Sequence, residues 1–313
     1  MSISVVVPVF NAGETLRYLV TAVSALRNEV DLEMILVNDG SRDRSWDLIL
    51  DLADGNGWIR GINLMRNFGQ HNALLCGIRA ARFEVVVTLD DDLQNPPGEV
   101  PKLLAKLEEG FDLVYGTPRK EAHGLARNLA SVVTKIVLQK GMGAEAARNV
   151  SAFRAFRTSL RAGFDHFAGS YVSIDELLTW GTSRVAAVPV DHRPRTAGVS
   201  NYSWKKLIEH ALNMMTGFST LPLRLASILG FAFTVFGLCV LVYVLVRYLL
   251  AGGSVPGFPF LASIVSIFSG AQLFALGIIG EYLARMHRLS MARPSYVVRA
   301  TTEAKREGES QPL

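Results

Sequence analysis

The chain opens on an unbroken apolar, β-branched run, Ile3 to Val9. A run without polar alternation predicts a strand buried on both faces. Apolar positions at helical spacing then cover Glu14 to Leu26. Glu33 to Val37 predicts a second strand, ending in the turn sequence Asn38-Asp39-Gly40-Ser41. A helix follows from Arg44 to Ala53, a strand over Ile59 to Leu64, and a helix over His71 to Ala81. Val85 to Leu89 is a fourth strand that runs straight into Asp90-Asp91-Asp92. This alternation predicts an α/β fold: a mostly parallel sheet with helices on both faces. Ligands of such sheets bind beyond the carboxyl ends of the strands. Asp39, Arg66 and Asp90 to Asp92 all fall there.

The pattern changes near residue 200. Ser203 to Phe218 has the spacing of an amphipathic helix lying on a membrane. No charge occurs between Arg224 and Arg247, nor between Arg247 and Glu281, where Phe258 to Ile279 is the apolar part. Each stretch matches the ~20 residues that cross a bilayer as helix. Ala251 to Phe258, rich in Gly and Pro, reads as the turn between them. Two buried core helices are the competing reading, but uncharged runs of this length are rare in soluble domains. The expected organisation is a catalytic domain over 1–202, an interfacial helix over 203–221, and a hairpin over 222–284 with spans at 225–246 and 258–280. A basic tail over 285–313, polar after Ala300, completes it. Arg285, His287, Arg288, Arg293 and Arg299 flank the second span, which puts both termini on the cytoplasmic side of an inner or plasma membrane.

Composition agrees. Half of the residues are hydrophobic, and the mean hydropathy is +0.26. The net charge is +4, and several basic residues sit around the apolar C-terminal region, which points to a membrane surface. Basic and aromatic residues do not interleave, so no nucleic-acid partner is expected. The start MSISVVVPVF lacks a basic n-region and a cleavage site, so no signal peptide is read there. Cys76 and Cys239 sit in unlike contexts and predict neither a disulfide nor a metal site.

Three aspartates at a strand end carry the strongest chemical signal. Side-chain alternation places Asp90 and Asp92 on one side and turns Asp91 away. Two carboxylates there suit Mg²⁺ or Mn²⁺, which would also hold a diphosphate. An acidic cap before Asn95-Pro96-Pro97 is the plainer reading. Asp39 suits a base or ribose, or an Asx-turn. The stretch Arg66 to His71 precedes a helix whose N-terminus favours anions, or is simply a capped loop. Ser173-Ile174-Asp175-Glu176 reads either as a base-bearing segment or as a capping box.

An ordered set of motifs goes further. It comprises Pro8-Val9-Phe10-Asn11, Val37 to Ser41, Arg66-Asn67-Phe68-Gly69-Gln70-His71, Asp90 to Pro97 and Phe153-Arg154. It continues with His192-Arg193-Pro194-Arg195 plus Gly198, Ser200 and Tyr202, then Phe218 to Arg224, Gly280 to Arg285, and Arg293-Pro294. In that order, over nearly the whole chain, they resemble the family 2 polyprenyl-phosphate glycosyltransferases with a GT-A (Rossmann-like) domain. Dolichyl-phosphate mannose synthases and bacterial undecaprenyl-phosphate sugar transferases, including the aminoarabinose transferases, are members. The resemblance implies inverting transfer from a UDP- or GDP-linked sugar to a polyprenyl phosphate, making a lipid-linked sugar for cell-envelope glycan or lipopolysaccharide. It implies that Pro8, Asn11, Asp39, Arg66, Gln70 and Asp90 hold the nucleotide-sugar, with Asp39 at the base. Asp92 and Gln94 would hold the metal. Arg119, Arg127, Arg193, Arg195 and Ser200 would hold the acceptor phosphate, and Asp90, Asp92, Arg119 and Arg127 form the catalytic set. It also implies a homo-oligomer, a tetramer. Asn201 departs from the usual Lys and removes one cation from the acceptor loop.

A phosphate monoester has a second pKa of about 6 and is ionised without a base. Its enzyme must gather two anions, which a metal and an arginine cluster do. Two other functions compete. A saccharide hydroxyl acceptor would need Asp175 as base, and no Gln-x-x-Arg-Trp motif of a processive synthase is present. A non-catalytic membrane hairpin would leave the acidic motif without purpose.

Overall fold

The computed structural model describes residues 1–118, 150–169, 172–192, 221–251, 257–291 and 293–302. They form two units, one of residues 1–204 with 292–313, the other of 205–291.

In the first unit the order is β1 (Ser2–Val9), α1 (Leu16–Ser24), β2 (Asp31–Asn38), α2 (Ser45–Gly55), β3 (Ile59–Leu64), α3 (Gln70–Ala80) and β4 (Val85–Thr88). Then come α4 (Val100–Glu108), β5 (Leu113–Pro118), β6 (Arg154–Arg157), α5 (Ile174–Thr179), β7 (Val185–Val190) and, much later, β8 (Val298–Thr301). Among the described residues these strands build one eight-stranded sheet in the order β7-β5-β6-β4-β1-β2-β3-β8. The expected parallel core is present: β4, β1, β2 and β3 run together, and β5 runs with β7. β6 and β8 are antiparallel to their neighbours.

The uninterrupted apolar run of β1 has its cause in two cores. Val5, Val7 and Val9 face a cluster with Leu16 and Leu19 of α1, Ile49 of α2 and Leu103 of α4. Val6 faces the other side, against Leu74, Leu75 and Ile78 of α3. Each fully buried aliphatic side chain of this size contributes about 1.5–3 kcal/mol relative to exposure. At the end of the sheet away from the aspartates, the buried Glu33 is fully engaged. It accepts hydrogen bonds from Ser4 Oγ (2.7 Å), the Arg82 N–H (2.7 Å) and Arg60 Nη1 (2.9 Å).

β8 lies in the segment expected to be a basic tail. It pairs with β3 through Ile62↔Thr301 and Asn63↔Ala300. The Thr302 hydroxyl accepts the Gly61 N–H at 3.0 Å, and Arg299 donates to the Met65 carbonyl at 3.0 Å. Ser295 donates to the Gly169 carbonyl at 2.8 Å. The alternation of Val298-Arg299-Ala300-Thr301 covers only four residues, too short a signal to be legible as a strand in the sequence.

The second unit holds two long helices, α6 (Leu221–Ala251) and α7 (Phe258–Ser290). Phe233 and Phe268 join them edge to face, with centroids 5.7 Å apart. Their outward surface is apolar, with Phe231, Leu250, Leu273 and Phe274 exposed. Among the residues whose side chains are described, no helical stretch is long and apolar enough to be assigned as a membrane span. Both cysteines are free.

Candidate active site

The carboxyl ends of β1 to β4 converge as the parallel register dictates, with Val9↔Asn38, Asn38↔Asn63 and Val6↔Thr88. Above them lies an open cleft of about 310 Å³. Its walls are the β1 exit (Pro8 to Phe10), Asp39, the loop residues Asn67, Gly69 and Gln70, and the three aspartates 90 to 92.

The turns that follow β1 and β2 are knitted together, and Asn11, expected to hold the nucleotide-sugar, does not line the cleft. The Asn11 side-chain oxygen accepts the Arg42 N–H (2.9 Å), and Ser41 Oγ accepts the Asn11 N–H (3.0 Å). Asn11 takes a left-handed conformation, φ 54°, which Asn tolerates better than most residues. Asp39 is almost fully buried. Its two oxygens accept the N–H groups of Phe68 (2.7 Å) and Gly69 (2.8 Å). Burial pushes its carboxyl pKa up, against the lowering effect of those two bonds. Asp39 therefore anchors the 66–70 loop, and each oxygen keeps a second lone pair for a ligand. Gly40 has φ +65°, and a Cβ there would lie 2.5 Å from the backbone of Arg66 and Asn67. Only glycine permits that approach.

Gln70 opens α3 and donates to Asp90 Oδ1 at 2.6 Å. Arg66 stacks its guanidinium over Phe68, 4.7 Å from the ring centre, and does not line the cleft. Asp92 Oδ1 accepts the Gln94 N–H at 3.1 Å. The expectation that Asp91 points away is corrected here. β4 ends at Thr88, so strand alternation does not reach the aspartates. A turn follows, with Leu93 at φ 59°. Asp91 lines the same cleft, and its Oδ2 accepts the Phe10 N–H at 3.3 Å. Burial, then the charges of Asp90 and Asp92, push the Asp91 pKa to about 6.

Among the described residues, no three His, Cys, Asp or Glu side chains form a ready metal cage. The donors present do fit a hard divalent cation that takes one or two carboxylates and fills its remaining positions from substrate phosphates and water. Burial is the main cause of the raised Asp91 pKa, and the lesser part due to the charges of Asp90 and Asp92 is what such a cation would relieve.

The Ser173 segment resolves differently from either expectation. Ser173 is the N-cap of α5, yet its side chain makes no capping bond. Asp175 is buried and accepts hydrogen bonds from Arg154 Nη1 and from Tyr115 OH, the latter at 3.0 Å. Arg154 Nε donates to Thr88 Oγ1 at 3.1 Å. The β-ladders place Arg154 opposite both Thr88 and Tyr115. Phe153-Arg154 stood among the motifs without a role, and the burial of Arg154 supplies one: it ties α5 to the end of β4. Asn67 and Phe10 line the cleft too; both stood within quoted motifs but carried no assigned role.

Arg119, Arg127, Arg193, Arg195, Ser200 and Asn201 lie outside the described residues. Their approaches are described: Pro118 ends β5 and pairs in parallel with Val190, which ends β7.

A strand-end cleft joining Asp39, the 66–70 loop and three aspartates matches a family. The family model described as glycosyl transferase family 2 matches residues 4–161. This chain belongs to glycosyl transferase family 2. Relatives of this glycosyltransferase extend along its length. Undecaprenyl-phosphate 4-deoxy-4-formamido-L-arabinose transferase of Proteus mirabilis is 34% identical, covering 99% of this chain and 96% of its own. The protein of the same name from Shewanella sediminis is 36% identical, covering 95% and 91%. Among solved structures, glucosyl-3-phosphoglycerate synthase from Mycobacterium tuberculosis, with Mn²⁺, UDP and glucosyl-3-phosphoglycerate, is similar at TM-score 0.50 and 22% identity. That match covers 69% of this chain and 77% of the other, and it places the first unit in the GT-A-like fold.

Proposed function

We propose that this glycosyltransferase moves a sugar, with inversion, from a UDP- or GDP-linked donor to the phosphate of a polyprenyl phosphate, undecaprenyl phosphate first among them. The observation that carries this reading is the state of Asp175. A hydroxyl acceptor needs a general base, and Asp175, the carboxylate expected for that task, is held in a buried ion pair with Arg154. A phosphate acceptor is already ionised. The names of the full-length relatives support the same acceptor.

In this reading the cleft holds the nucleotide-sugar, with Asp39 near the base and Asp90, braced by Gln70, at the sugar. Asp92 and Gln94 would hold Mg²⁺ or Mn²⁺, which when bound neutralises the departing diphosphate. The solved Mn²⁺ complexes of the fold neighbour support a divalent ion. Arg119, Arg127, Arg193, Arg195 and Ser200 gather the acceptor phosphate, whose oxygen attacks the anomeric carbon in line. The lipid product would serve as a sugar donor for envelope or lipopolysaccharide modification. α6 and α7 cross the inner or plasma membrane as a hairpin, supported by the uncharged runs and their basic flanks. Both termini are then cytoplasmic, and the protomers form a homo-oligomer.

The test is mass spectrometry of lipid products after incubating the full chain with undecaprenyl phosphate and a panel of nucleotide-sugars. 4-Deoxy-4-formamido-L-arabinose comes first in the panel, because the relatives carry that name. Arg127→Ala should raise the acceptor KM or lower kcat by the equivalent of about 2–4 kcal/mol, with donor affinity kept. A normal Arg127→Ala together with turnover of a free saccharide would overturn the reading. Cysteine labelling from outside intact cells should mark a Cys placed at Gly253 and not one at Ser2.

A further inference from the structure

Met65 leads from β3 into the 66–70 loop, and the C-terminal segment takes both of its backbone polar groups. Its N–H donates to the Val297 carbonyl at 2.9 Å. Its carbonyl accepts a hydrogen bond from Arg299 Nη2 at 3.0 Å. The β3–β8 ladder is irregular just before this point. It pairs Asn63 with Ala300 and Leu64 with Val298, so the register slips by one residue and Arg299 falls opposite neither. A bulge of this kind bends the strand and re-aims the extra side chain. Here the extra residue is Arg299, and its guanidinium meets the loop entry.

The segment around Arg299 is itself held at both ends. Ser295 is buried, and its hydroxyl donates to the Gly169 carbonyl at 2.8 Å. Thr302 is buried too, and its hydroxyl accepts the Gly61 N–H at 3.0 Å. Between them the Tyr296 ring lies 5.8 Å from the Arg79 guanidinium. The loop has a second anchor in Asp39, which accepts the N–H groups of Phe68 and Gly69. Asp39 thus holds the middle of the loop, while Val297 and Arg299 hold its entry. Asn67, Gly69 and Gln70, all beyond that entry, line the cleft. The sequence marks Arg299 only as part of a basic flank, and its bond to Met65 gives it a more local task.

We propose that residues 295–302 clasp the donor side of the cleft, and that Arg299 is a positioning residue for the nucleotide-sugar, acting through the entry of the 66–70 loop. The inference rests on the reading of this cleft as the nucleotide-sugar site. The physical reason is preorganisation. A loop that must order itself around its ligand spends part of the binding free energy on doing so, and a loop already in place does not. The bond from a guanidinium to a carbonyl is charge-assisted and stronger than one between neutral groups. It fixes the loop from outside the cleft, so no further charge is placed beside the diphosphate.

The test is calorimetric titration of the full-length enzyme with UDP and with GDP in the presence of Mn²⁺, beside amide hydrogen exchange of the free enzyme. Arg299→Ala should weaken binding of the nucleotide that the wild type takes by about three- to tenfold. Peptides covering residues 65–70 should exchange about tenfold faster in this variant, and those covering β1 should not change. Arg299→Lys, which keeps a charged donor, should recover most of both losses. Unchanged nucleotide affinity in Arg299→Ala, or unchanged exchange at 65–70, overturns the clasp. Should Arg299→Ala melt early, Arg299→Met carries the same test, because it keeps the apolar stem and removes only the donor. A wild type that binds neither UDP nor GDP sinks the reading of the cleft and the clasp with it. A wild type that binds one of them, with the Arg299 variants binding it equally well, sinks the clasp alone.

Discussion

Arg154 and Asp175 form an ion pair under the floor of the cleft, with 1% and 9% of their surfaces exposed. Through Thr88 Oγ1 the arginine reaches the strand end two residues before Asp90. Tyr115 closes the cluster from β5. Removing one partner of a buried pair costs about 3–5 kcal/mol, because the other charge stays buried. Asp175→Asn should therefore lower Tm by about 6–20 °C, while kcat below the transition stays within about tenfold of wild type. Thermal melting and initial rates on the same sample decide it. A loss of about 10²–10⁴-fold in rate at normal Tm would make Asp175 a general base and return the hydroxyl acceptor to favour.

The aspartate turn gives a second expectation. Asp92→Asn should nearly abolish turnover at unchanged Tm, since it removes a charged oxygen from a solvent-facing site. Asp91→Ala should fall in between, losing about three- to tenfold, because the N–H of Phe10 loses its acceptor. Rates measured across a Mn²⁺ titration separate them. Asp92→Asn should need more metal, and Asp91→Ala should not. An identical metal requirement in Asp92→Asn and wild type would remove Asp92 from the metal site.

These two clusters show what the sequence could and could not disclose. The strands and helices of the first half are legible because a buried parallel sheet needs long apolar runs. β3 spans Ile59 to Leu64 as its residues suggest. Asp39 and Asp90 to Asp92 could be placed at one crevice because parallel strands end together, whereas Arg66, expected there with them, stacks on Phe68 instead. The direction of the Asp91 side chain could not be read, because alternation fails once the chain leaves the strand. The partners of Asp175 were hidden too: Arg154 and Tyr115 meet it through an antiparallel ladder that no periodicity encodes. β8 is invisible for a related reason, since the strand it pairs with lies over 200 residues earlier.

Gly40 offers a test of the turn geometry. Its φ of +65° and the 2.5 Å approach to the Arg66–Asn67 backbone leave no space for a methyl group. Gly40→Ala should cost about 1–3 kcal/mol of local strain, displace the 66–70 loop, and weaken nucleotide-sugar binding more than acceptor binding. Calorimetric titration with the nucleoside diphosphate checks this. Donor affinity equal to that of wild type would show that the loop does not depend on the turn.

Glu176 carries a pH-dependent expectation. Burial, reinforced by the neighbouring Asp175 charge, raises its pKa from 4.5 to about 7. The folded protein therefore holds this proton more firmly than the unfolded chain does. The associated stability is present below about pH 4.5 and is lost as pH rises through about 7. Glu176→Gln imitates the protonated form at every pH. It should leave Tm nearly unchanged at pH 5 and raise it by about 2–4 °C at pH 8.5, with the difference growing between those values. The side chain is only partly buried, so solvent screening keeps the gain small. Melting curves of both proteins from pH 5 to 8.5 measure it. A constant offset across that range would mean that the substitution acts through packing, and a lower Tm at pH 8.5 would mean that the ionised carboxylate has a partner that stabilises it.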